Sequence, residues 1–276
     1  MFETQRLAHG PVEGLKTGRF GASINTMSIC YRIGRTLIDT GPPNRWRAVR
    51  RFVDAQHAEH GIERVVLTHH HEDHAGNAVR IKQRLDVPVF APEASLEPLA
   101  EGFSMELYRR LVWGKPKPVA AQPVPRLLPI ENGWHLQRID APGHADDMVC
   151  YLVPEEGWLF TADLFIARQP RYLRYDEDVL QLVESLRRVL QYDFEVVFCG
   201  HRGVVENGRQ ALRDKLLYLE ALCGVVQRRH QSGESLNHIT EQMLGRDGML
   251  RWVSGGDFSK KHLIRSCLES GHHQFA

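Results

Sequence analysis

A histidine cluster directly behind a short apolar run is the feature that most constrains this chain. Four of the 15 histidines fall in the six residues from His69 to His74. The apolar run at residues 65–67 predicts a buried strand that leads into the cluster. Imidazole and carboxylate groups are good ligands for zinc and similar first-row metals. We therefore predict that His69 and His71 converge on one metal, while Asp73 and His74 reach a second.

Three isolated residues further along the chain complete the predicted metal shell. They are His144, Asp163 and His201, and each follows a short run of residues that predicts a strand. Sites on α/β scaffolds usually gather in the loops at strand ends, so these side chains are expected to approach the cluster. With the four residues of the cluster they make seven side chains, which is enough for two metals.

The neighbours of the predicted ligands have more open roles. His70 and Glu72 occupy the intervening positions of the cluster, and we expect them at the surface or behind the metal ligands. Asp39, at the end of a predicted strand, has two interpretations of equal weight. It accepts a hydrogen bond from a ligand histidine and holds its tautomer, or it caps the turn at Gly41.

Strands and helices alternate in both halves of the chain, which indicates an α/β protein, or α+β under some schemes. The predicted strands lie at residues 27–33, 36–39, 65–67, 88–90 and 195–199, with three more between 134 and 160. The predicted helices lie at residues 45–60, 75–85 and 179–190, followed by a long helix through 212–222 and shorter helices behind it. We assign residues 1–205 to a catalytic domain and 206–276 to a helical C-terminal extension.

Residues 92–126 look like an addition to the catalytic domain. The segment carries Phe103, Tyr108 and Trp113, followed by a proline-rich stretch. We predict a lid or a substrate wall in which these three aromatic residues bind substrate. A packed helix followed by a stiff linker is the alternative interpretation.

Composition gives no indication of a polyanionic or membrane partner. Lys plus Arg number 35 against 34 for Asp plus Glu, so the net charge of +1 provides no global attraction to nucleic acid. No apolar run approaches the length of roughly 18 residues that a transmembrane helix needs. The five cysteines are odd in number and form no C-x-x-C pair, which favours a reduced, cytoplasmic setting. The oligomeric state stays open.

The complete pattern resembles the metallo-β-lactamase superfamily. The resemblance rests on His-x-His-x-Asp-His at residues 69–74, Pro-Gly-His144, Thr-Ala-Asp163 and Cys-Gly-His201, and it covers about residues 20–205. It implies a four-layer αβ/βα sandwich with the metals in the cleft between two sheets. By position, the resemblance places His69, His71 and His144 on one metal, and Asp73, His74 and His201 on the other, with Asp163 bridging both.

The match is to the glyoxalase II-like branch of this superfamily. The β-lactamases proper have a cysteine where this chain has Asp163, and their motif lacks the ligand corresponding to His74, so antibiotic hydrolysis is not expected. The C-terminal part resembles two smaller groups. One comprises lactamase-β-like hydrolases with a winged-helix-like tail, among which endoribonucleases occur, and the other is the quinolone-signal thioesterase group.

The expected activity is metal-dependent hydrolysis of a small-molecule acyl substrate, a thioester, ester or lactone. Two divalent metals share a water, lower its pKa and turn it into the attacking hydroxide. Asp73 is expected to orient that hydroxide. Zinc is the expected metal, with iron or manganese as alternatives.

Three other functions compete with hydrolysis of an acyl bond. An endoribonuclease is supported by basic residues interleaved with aromatic ones, although RNA is the less favoured partner. An iron-dependent sulfur dioxygenase shares the metal motif, and a signalling or partner-binding role is compatible with the same fold. The basic residues that support the nuclease are Arg109, Arg110, Lys115, Lys117, Arg126, Arg168, Arg171 and Arg174.

Overall fold

Two β-sheets pack face to face in the computed structural model, which describes residues 2–21 and 24–268. The first sheet has the strand order β1-β2-β4-β5-β6-β7-β8, with β3 paired to β2. It is antiparallel up to β5, and β5 to β8 run parallel. Its strands are β1 Phe2–His9, β2 Val12–Gly21, β3 Ile24–Asn25, β4 Ser28–Ile33, β5 Thr36–Ile38, β6 Arg64–Val66, β7 Val89–Ala91 and β8 Gln122–Pro123.

The second sheet has the order β14-β13-β12-β11-β10-β9. All of its pairs are antiparallel except β12 with β13, which run parallel. A hydrophobic cluster that includes Tyr31, Phe160 and Phe198 fills the space between the two sheets. The strands of the second sheet are β9 Leu127–Pro129, β10 His135–Asp140, β11 Val149–Val153, β12 Trp158–Ala162, β13 Val196–Cys199 and β14 Gly203–Val205.

Helices cover the outer face of each sheet. Val49 and Phe52 of α1 and Ile81 of α3 pack with the first sheet, and Leu186 of α6 and Leu212 of α7 pack with the second. The resulting order of layers is helix, sheet, sheet, helix, which confirms the predicted α/β sandwich. The helices are α1 Trp46–His60, α2 Glu72–Ala75, α3 Ala78–Leu85, α4 Leu96–Glu101, α5 Leu107–Val112, α6 Val179–Val189, α7 Gly208–Gln231, α8 Leu236–Leu244, α9 Met249–Val253 and α10 Lys260–Ser266.

The helix predicted at residues 75–85 is confirmed over residues 78–85 as α3, but it begins three residues late because a break separates it from the short α2. The break lies at Gly76 and Asn77. The Asn77 side chain donates hydrogen bonds of 3.1, 3.1 and 2.9 Å to the carbonyls of Thr40, Gly41 and Pro42. The helix is interrupted because this amide fastens the chain to the loop after β5.

The hairpin of β1 and β2 was not predicted from the sequence. The described side chains of β1 are mostly exposed because it is an edge strand. An edge strand need not alternate apolar and polar residues, so its sequence lacks the usual period-2 signal.

The C-terminal helices pack on the second sheet. Leu219 of α7, Ile239 of α8 and Ile264 of α10 belong to the same hydrophobic cluster as Leu152 and Leu159 of the sheet. Helices α7, α8 and α10 therefore share a hydrophobic core with the second sheet, while the domain boundary at residue 205 and the winged-helix-like character stay predictions. Over the part of the chain that the structure describes, no helix is both long and apolar enough to cross a membrane.

Candidate metal centre

The seven predicted ligands meet where the ends of the two sheets face each other. His69 and His71 lie in the loop after β6, and Asp73 and His74 lie in α2. The remaining three come from the second sheet, in loops that follow its strands. They are His144 after β10, Asp163 after β12 and His201 after β13. All seven side chains are buried.

One group of nitrogen atoms forms around His71. Its Nδ1 lies 3.0 Å from Nε2 of His69 and 3.1 Å from Nε2 of His144. These three ring nitrogens lie within 4.8 Å of one another, which is close enough for a shared ion. They are the three side chains that the resemblance places on one metal.

A second group forms around His74. The ligand atoms of Asp73, His74 and His201 also lie within 4.8 Å of one another. Oδ2 of Asp73 is 3.9 Å from Nε2 of His74 and 3.7 Å from Nε2 of His201. Both distances are longer than a hydrogen bond, so the Asp73 carboxylate is near the two rings without being hydrogen-bonded to either.

Asp163 faces both groups with one carboxylate. Its Oδ2 lies 3.1 Å from Nε2 of His144, in the first group. Its Oδ1 lies 2.9 Å from Nε2 of His201 and 3.2 Å from Nε2 of His74, in the second. The two oxygens thus face both groups of ligand atoms.

Outer hydrogen bonds settle which ring nitrogen of three histidines carries the proton. Nδ1 of His74 donates to Oδ2 of Asp39 at 2.8 Å, and Nδ1 of His144 donates to Oε1 of Glu177 at 2.6 Å. Nδ1 of His201 donates to the carbonyl oxygen of Met27 at 2.5 Å. In the neutral rings, Nε2 therefore carries no proton, and its lone pair points to the centre of the site. Metals bind imidazole in this form.

The donor set fits a metal site. His74 Nε2 and Asp163 Oδ1 are buried atoms that make no hydrogen bond of acceptable geometry to any described residue. Lone pairs that converge without a proton between them need a positive charge to be stable. Nitrogen and carboxylate oxygen donors in this number suit zinc and neighbouring first-row metals.

The acid–base properties of the centre also favour cations. Burial holds the pKa of His69 and His71 well below its usual range, so both rings are neutral. Burial opposes the charge on His74, but Asp163 and Asp73 more than offset it and raise the pKa of this ring. Burial alone would raise the pKa of Asp163, whereas the His201 ring and its neighbours hold it well below the usual range. The second group thus attracts positive charge, which either a proton or a metal supplies.

Two glycines explain why the ligand loops have the sequences they have. A Cβ on Gly143, just before His144, would lie 2.5 Å from the backbone nitrogen of Leu182. A Cβ on Gly200, just before His201, would lie 2.9 Å from the ring of His74. Only glycine permits these close approaches, so the Pro-Gly-His and Cys-Gly-His motifs are steric requirements.

The two intervening residues of the cluster face different partners. His70 lies 2.8 Å from Oδ2 of Asp147 through its Nδ1, away from both groups of ligand atoms. Glu72 is buried and accepts two hydrogen bonds from Arg109. Cys199 also lies outside the ligand groups, where its sulfur accepts hydrogen bonds from the backbone nitrogens of His201 and Arg202.

The three aromatic residues predicted to bind substrate line two cavities beside the centre. Tyr108 and Trp113 line a cavity of about 260 Å³ that also contacts His71, Asp73, His144, Asp163 and His201. Phe103 lines a second cavity of about 280 Å³ and packs edge-on against His70, with ring centroids 4.7 Å apart. Their role in binding stays a prediction.

Sequence reasoning missed the residues that orient the ligands from farther along the chain. Glu177 belongs to no motif of the sequence, yet it is the partner of His144. The contact of Met27 is made by its backbone carbonyl, so no residue type in the sequence indicates it. Both contacts join parts of the chain that only the fold brings together.

The family follows from a comparison with known proteins. The family model of the Metallo-beta-lactamase superfamily matches residues 23–201, which include all seven candidate ligands. The chain belongs to this superfamily. The predicted fold is confirmed by a metallo-beta-lactamase from Pontibacter korlensis, whose solved structure aligns with a TM-score of 0.62. That alignment covers 80% of this chain and 99% of the other at 20% identity.

Relatives among curated proteins are hydrolases. An atrochrysone carboxyl ACP thioesterase from Aspergillus fumigatus is 26% identical over 202 residues, covering 70% of this chain and 55% of the relative. A hydroxyacylglutathione hydrolase from Xanthomonas euvesicatoria is 27% identical over 192 residues, covering 69% and 65%. The chain therefore spans between about half and two thirds of the length of these relatives.

Proposed function

We propose that this protein is a dinuclear metal-dependent hydrolase of thioester, ester or lactone bonds in small-molecule acyl substrates. The single observation that carries the proposal is the carboxylate of Asp163, whose two oxygens face two adjoining groups of ligand atoms. One group consists of His69, His71 and His144, and the other of Asp73, His74 and His201. His69 and His74, one from each group, also converge with Asp163. Asp163 is the bridging residue between them.

Zinc is the metal best suited to this set of nitrogen and carboxylate donors, with iron or manganese as alternatives. A pair of such ions, when bound, supplies a water of low pKa and a Lewis acid for a carbonyl oxygen. The chain itself supplies the fixed geometry. Asp39 and Glu177 hold the rings of His74 and His144 with Nε2 directed inward, so little reorganisation is needed when a charge develops.

Asp73 has a second role besides coordination. Its carboxylate lines the cavity of about 260 Å³ as well as the second ligand group. A carboxylate in that position can accept a hydrogen bond from a water in the cavity and orient it toward a bound carbonyl carbon. The leaving thiolate or alkoxide needs little protonation by the protein, and no serine or cysteine nucleophile is needed.

The charges around the cleft favour a small acyl substrate over RNA. Several of the basic residues that would support a nuclease are already paired with protein groups. Arg109 binds Glu72, Arg174 binds Asp176 at 2.6 Å, and Arg168 binds Asp214 at 2.9 Å. RNA binding needs many unpaired cations to neutralise phosphates. The thioesterase name of one relative and the hydroxyacylglutathione hydrolase name of another point to the same substrate class.

A direct test compares metal-loaded enzyme on a panel of thioesters and on a structured RNA. We expect turnover of thioesters, about two metals per chain by elemental analysis, and loss of both metal and turnover in Asp163→Ala. RNA cleavage that disappears in Asp163→Ala, without thioester turnover, would replace this proposal with the endoribonuclease. A firm metal content of one or none would remove the dinuclear assignment.

A further inference from the structure

The cavity next to the candidate metal centre is closed by both additions to the catalytic domain. Tyr108 and Trp113 come from residues 92–126, and Leu250 and Phe258 come from the C-terminal extension. Ile166, which follows β12, completes the apolar part of the wall. Five of the candidate ligands line the same cavity, so an apolar group bound here lies next to the candidate metal centre.

Two of the arginines that line this cavity form ion pairs with protein carboxylates, and Nε of the exposed Arg202 donates to the carbonyl oxygen of Ile166 at 2.7 Å. Arg109 pairs with Glu72, and Arg174 lies 2.6 Å from Asp176 and 3.6 Å from Asp257. Consequently, what the wall offers a ligand is mainly aromatic and aliphatic surface. A ligand group in this cavity gains affinity by burying its own apolar surface.

Both sides of the wall are held in place before any ligand binds. The Tyr108 hydroxyl donates a hydrogen bond to Asp257, the neighbour of Phe258. The backbone nitrogen of Phe258 donates to the Ser254 hydroxyl at 3.0 Å. On the other side, Nε1 of Trp113 donates to the carbonyl oxygen of Thr26 at 3.2 Å. A wall that is anchored in this way discriminates by size better than a loose one.

A second, more polar cavity shares His71 and His144 with the first. It has a volume of about 280 Å³, and its lining includes the polar side chains of His70, Ser104 and Asp146 as well as the ring of Phe103. Two histidines of the candidate metal centre are thus common to a mainly apolar cavity and a more polar one. Such an arrangement suits a substrate with an apolar group on one side of the bond and a polar group on the other.

We propose that Leu250 and Phe258 of the C-terminal extension, with Tyr108 and Trp113, form an acyl-binding pocket that selects substrates by acyl length. The inference rests on the proposed function. An acyl chain that outgrows this cavity of about 260 Å³ leaves apolar surface in solvent, so the pocket limits the acyl length that gains affinity. The thiol or alcohol part lies in the polar cavity, and hydrolysis breaks the bond between its sulfur or oxygen and the carbonyl carbon.

The test uses the full-length, metal-loaded protein and N-acetylcysteamine thioesters with acyl chains from acetyl to palmitoyl. We expect kcat/KM for wild type to rise with acyl length up to an optimum and to fall for longer chains. Leu250→Trp fills the pocket, so kcat/KM for octanoyl should fall at least about tenfold while that for acetyl changes little. Leu250→Ala and Phe258→Ala should shift the preference to longer chains. Trp252→Ala is the matched control, because Trp252 lies in the same short helix, is 84% exposed and does not line the cavity.

A second readout does not depend on catalysis. Binding of 1-hexanol to the metal-free protein, measured by calorimetry, should be weakened by Leu250→Trp and unaffected by Trp252→Ala. If wild type hydrolyses thioesters and Leu250→Trp lowers kcat/KM equally for all acyl chain lengths, the pocket assignment is wrong while the proposed function stands. If no thioester is hydrolysed, the proposed function fails, and the hexanol titration alone decides whether the apolar pocket exists.

Discussion

Arg109 and Glu72 form an ion pair that is almost fully buried beside the candidate metal centre. Nε of Arg109 donates to Oε1 of Glu72 at 2.8 Å, and Nη2 donates to Oε2 at 2.5 Å. The pair joins α5, in residues 92–126, to α2, which carries Asp73 and His74. Burial disfavours the guanidinium cation, but the Glu72 carboxylate more than offsets this and raises the pKa of Arg109.

Removing one partner of this pair should cost more than removing both. Arg109→Met leaves the Glu72 charge buried and unpaired, which typically costs about 3–5 kcal/mol, whereas the double variant Glu72→Met/Arg109→Met should cost much less. Urea unfolding of metal-depleted protein measures this without a contribution from metal binding. An equal loss of unfolding free energy in the single and double variants would show that the pair does not act as a unit.

Asp39 should act on the metal through His74. Its carboxylate accepts hydrogen bonds from the backbone nitrogen of Thr68 at 2.9 Å and from Nδ1 of His74 at 2.8 Å. Asp39→Asn keeps the shape and tolerates the left-handed backbone at this position, but it weakens the acceptor for the ring. We expect the affinity for the more weakly bound metal ion to fall about 10- to 100-fold, as measured by a chelator competition titration. Asp54→Asn, in a surface ion pair with Arg84, is the control and should have no effect.

His70 should be dispensable for metal binding although it lies between two candidate ligands. Its ring pairs with Asp147 and points away from both ligand groups. His70→Ala should therefore retain about two metals per chain, and His71→Ala should lose at least one. Elemental analysis after dialysis compares the two variants, and metal loss in His70→Ala would mean that the register of the cluster is misassigned.

Lys215 should make stability depend on pH in the alkaline range. Burial lowers the pKa of this lysine from an ordinary 10.5 to about 8, and its Nζ donates to the carbonyl oxygen of Leu164 at 2.5 Å. Because the folded protein binds the proton more weakly than the unfolded chain, folding is penalised below about pH 8 by about 3 kcal/mol. The penalty fades as the pH rises from about 8 toward 10.5.

A comparison with Lys215→Met isolates this effect. Relative to the variant, the free energy of unfolding of metal-depleted wild type should rise between pH 8 and pH 10. Urea titrations at several pH values measure the difference in unfolding free energy between wild type and Lys215→Met. The contributions of the other ionisable groups cancel in this difference. A difference that stays constant with pH would show that Lys215 is charged in the folded protein.

The sequence by itself determined the class of fold and the identity of the candidate ligands. Apolar runs and helical periods predicted β4 to β7 of the first sheet, β10 to β13 of the second and the longer helices, because burial imposes those periods locally. The residues from His69 to His74 and the later His144, Asp163 and His201 were recognisable because metal chemistry restricts the residue types. All seven lie at strand ends or helix entries, which a sequence pattern can locate.

Only the tertiary structure decided which groups surround those ligands. Glu177 orients His144, and Asn77 breaks the predicted helix, because contacts between distant parts of the chain overrule local preference. The edge hairpin was not predicted because exposed strands need no apolar period. The placement of Leu250 and Phe258 beside the candidate metal centre likewise follows from the packing of the C-terminal helices on the second sheet. A local sequence pattern records which face of an element is buried, whereas the partner against which it is buried is a property of the whole fold.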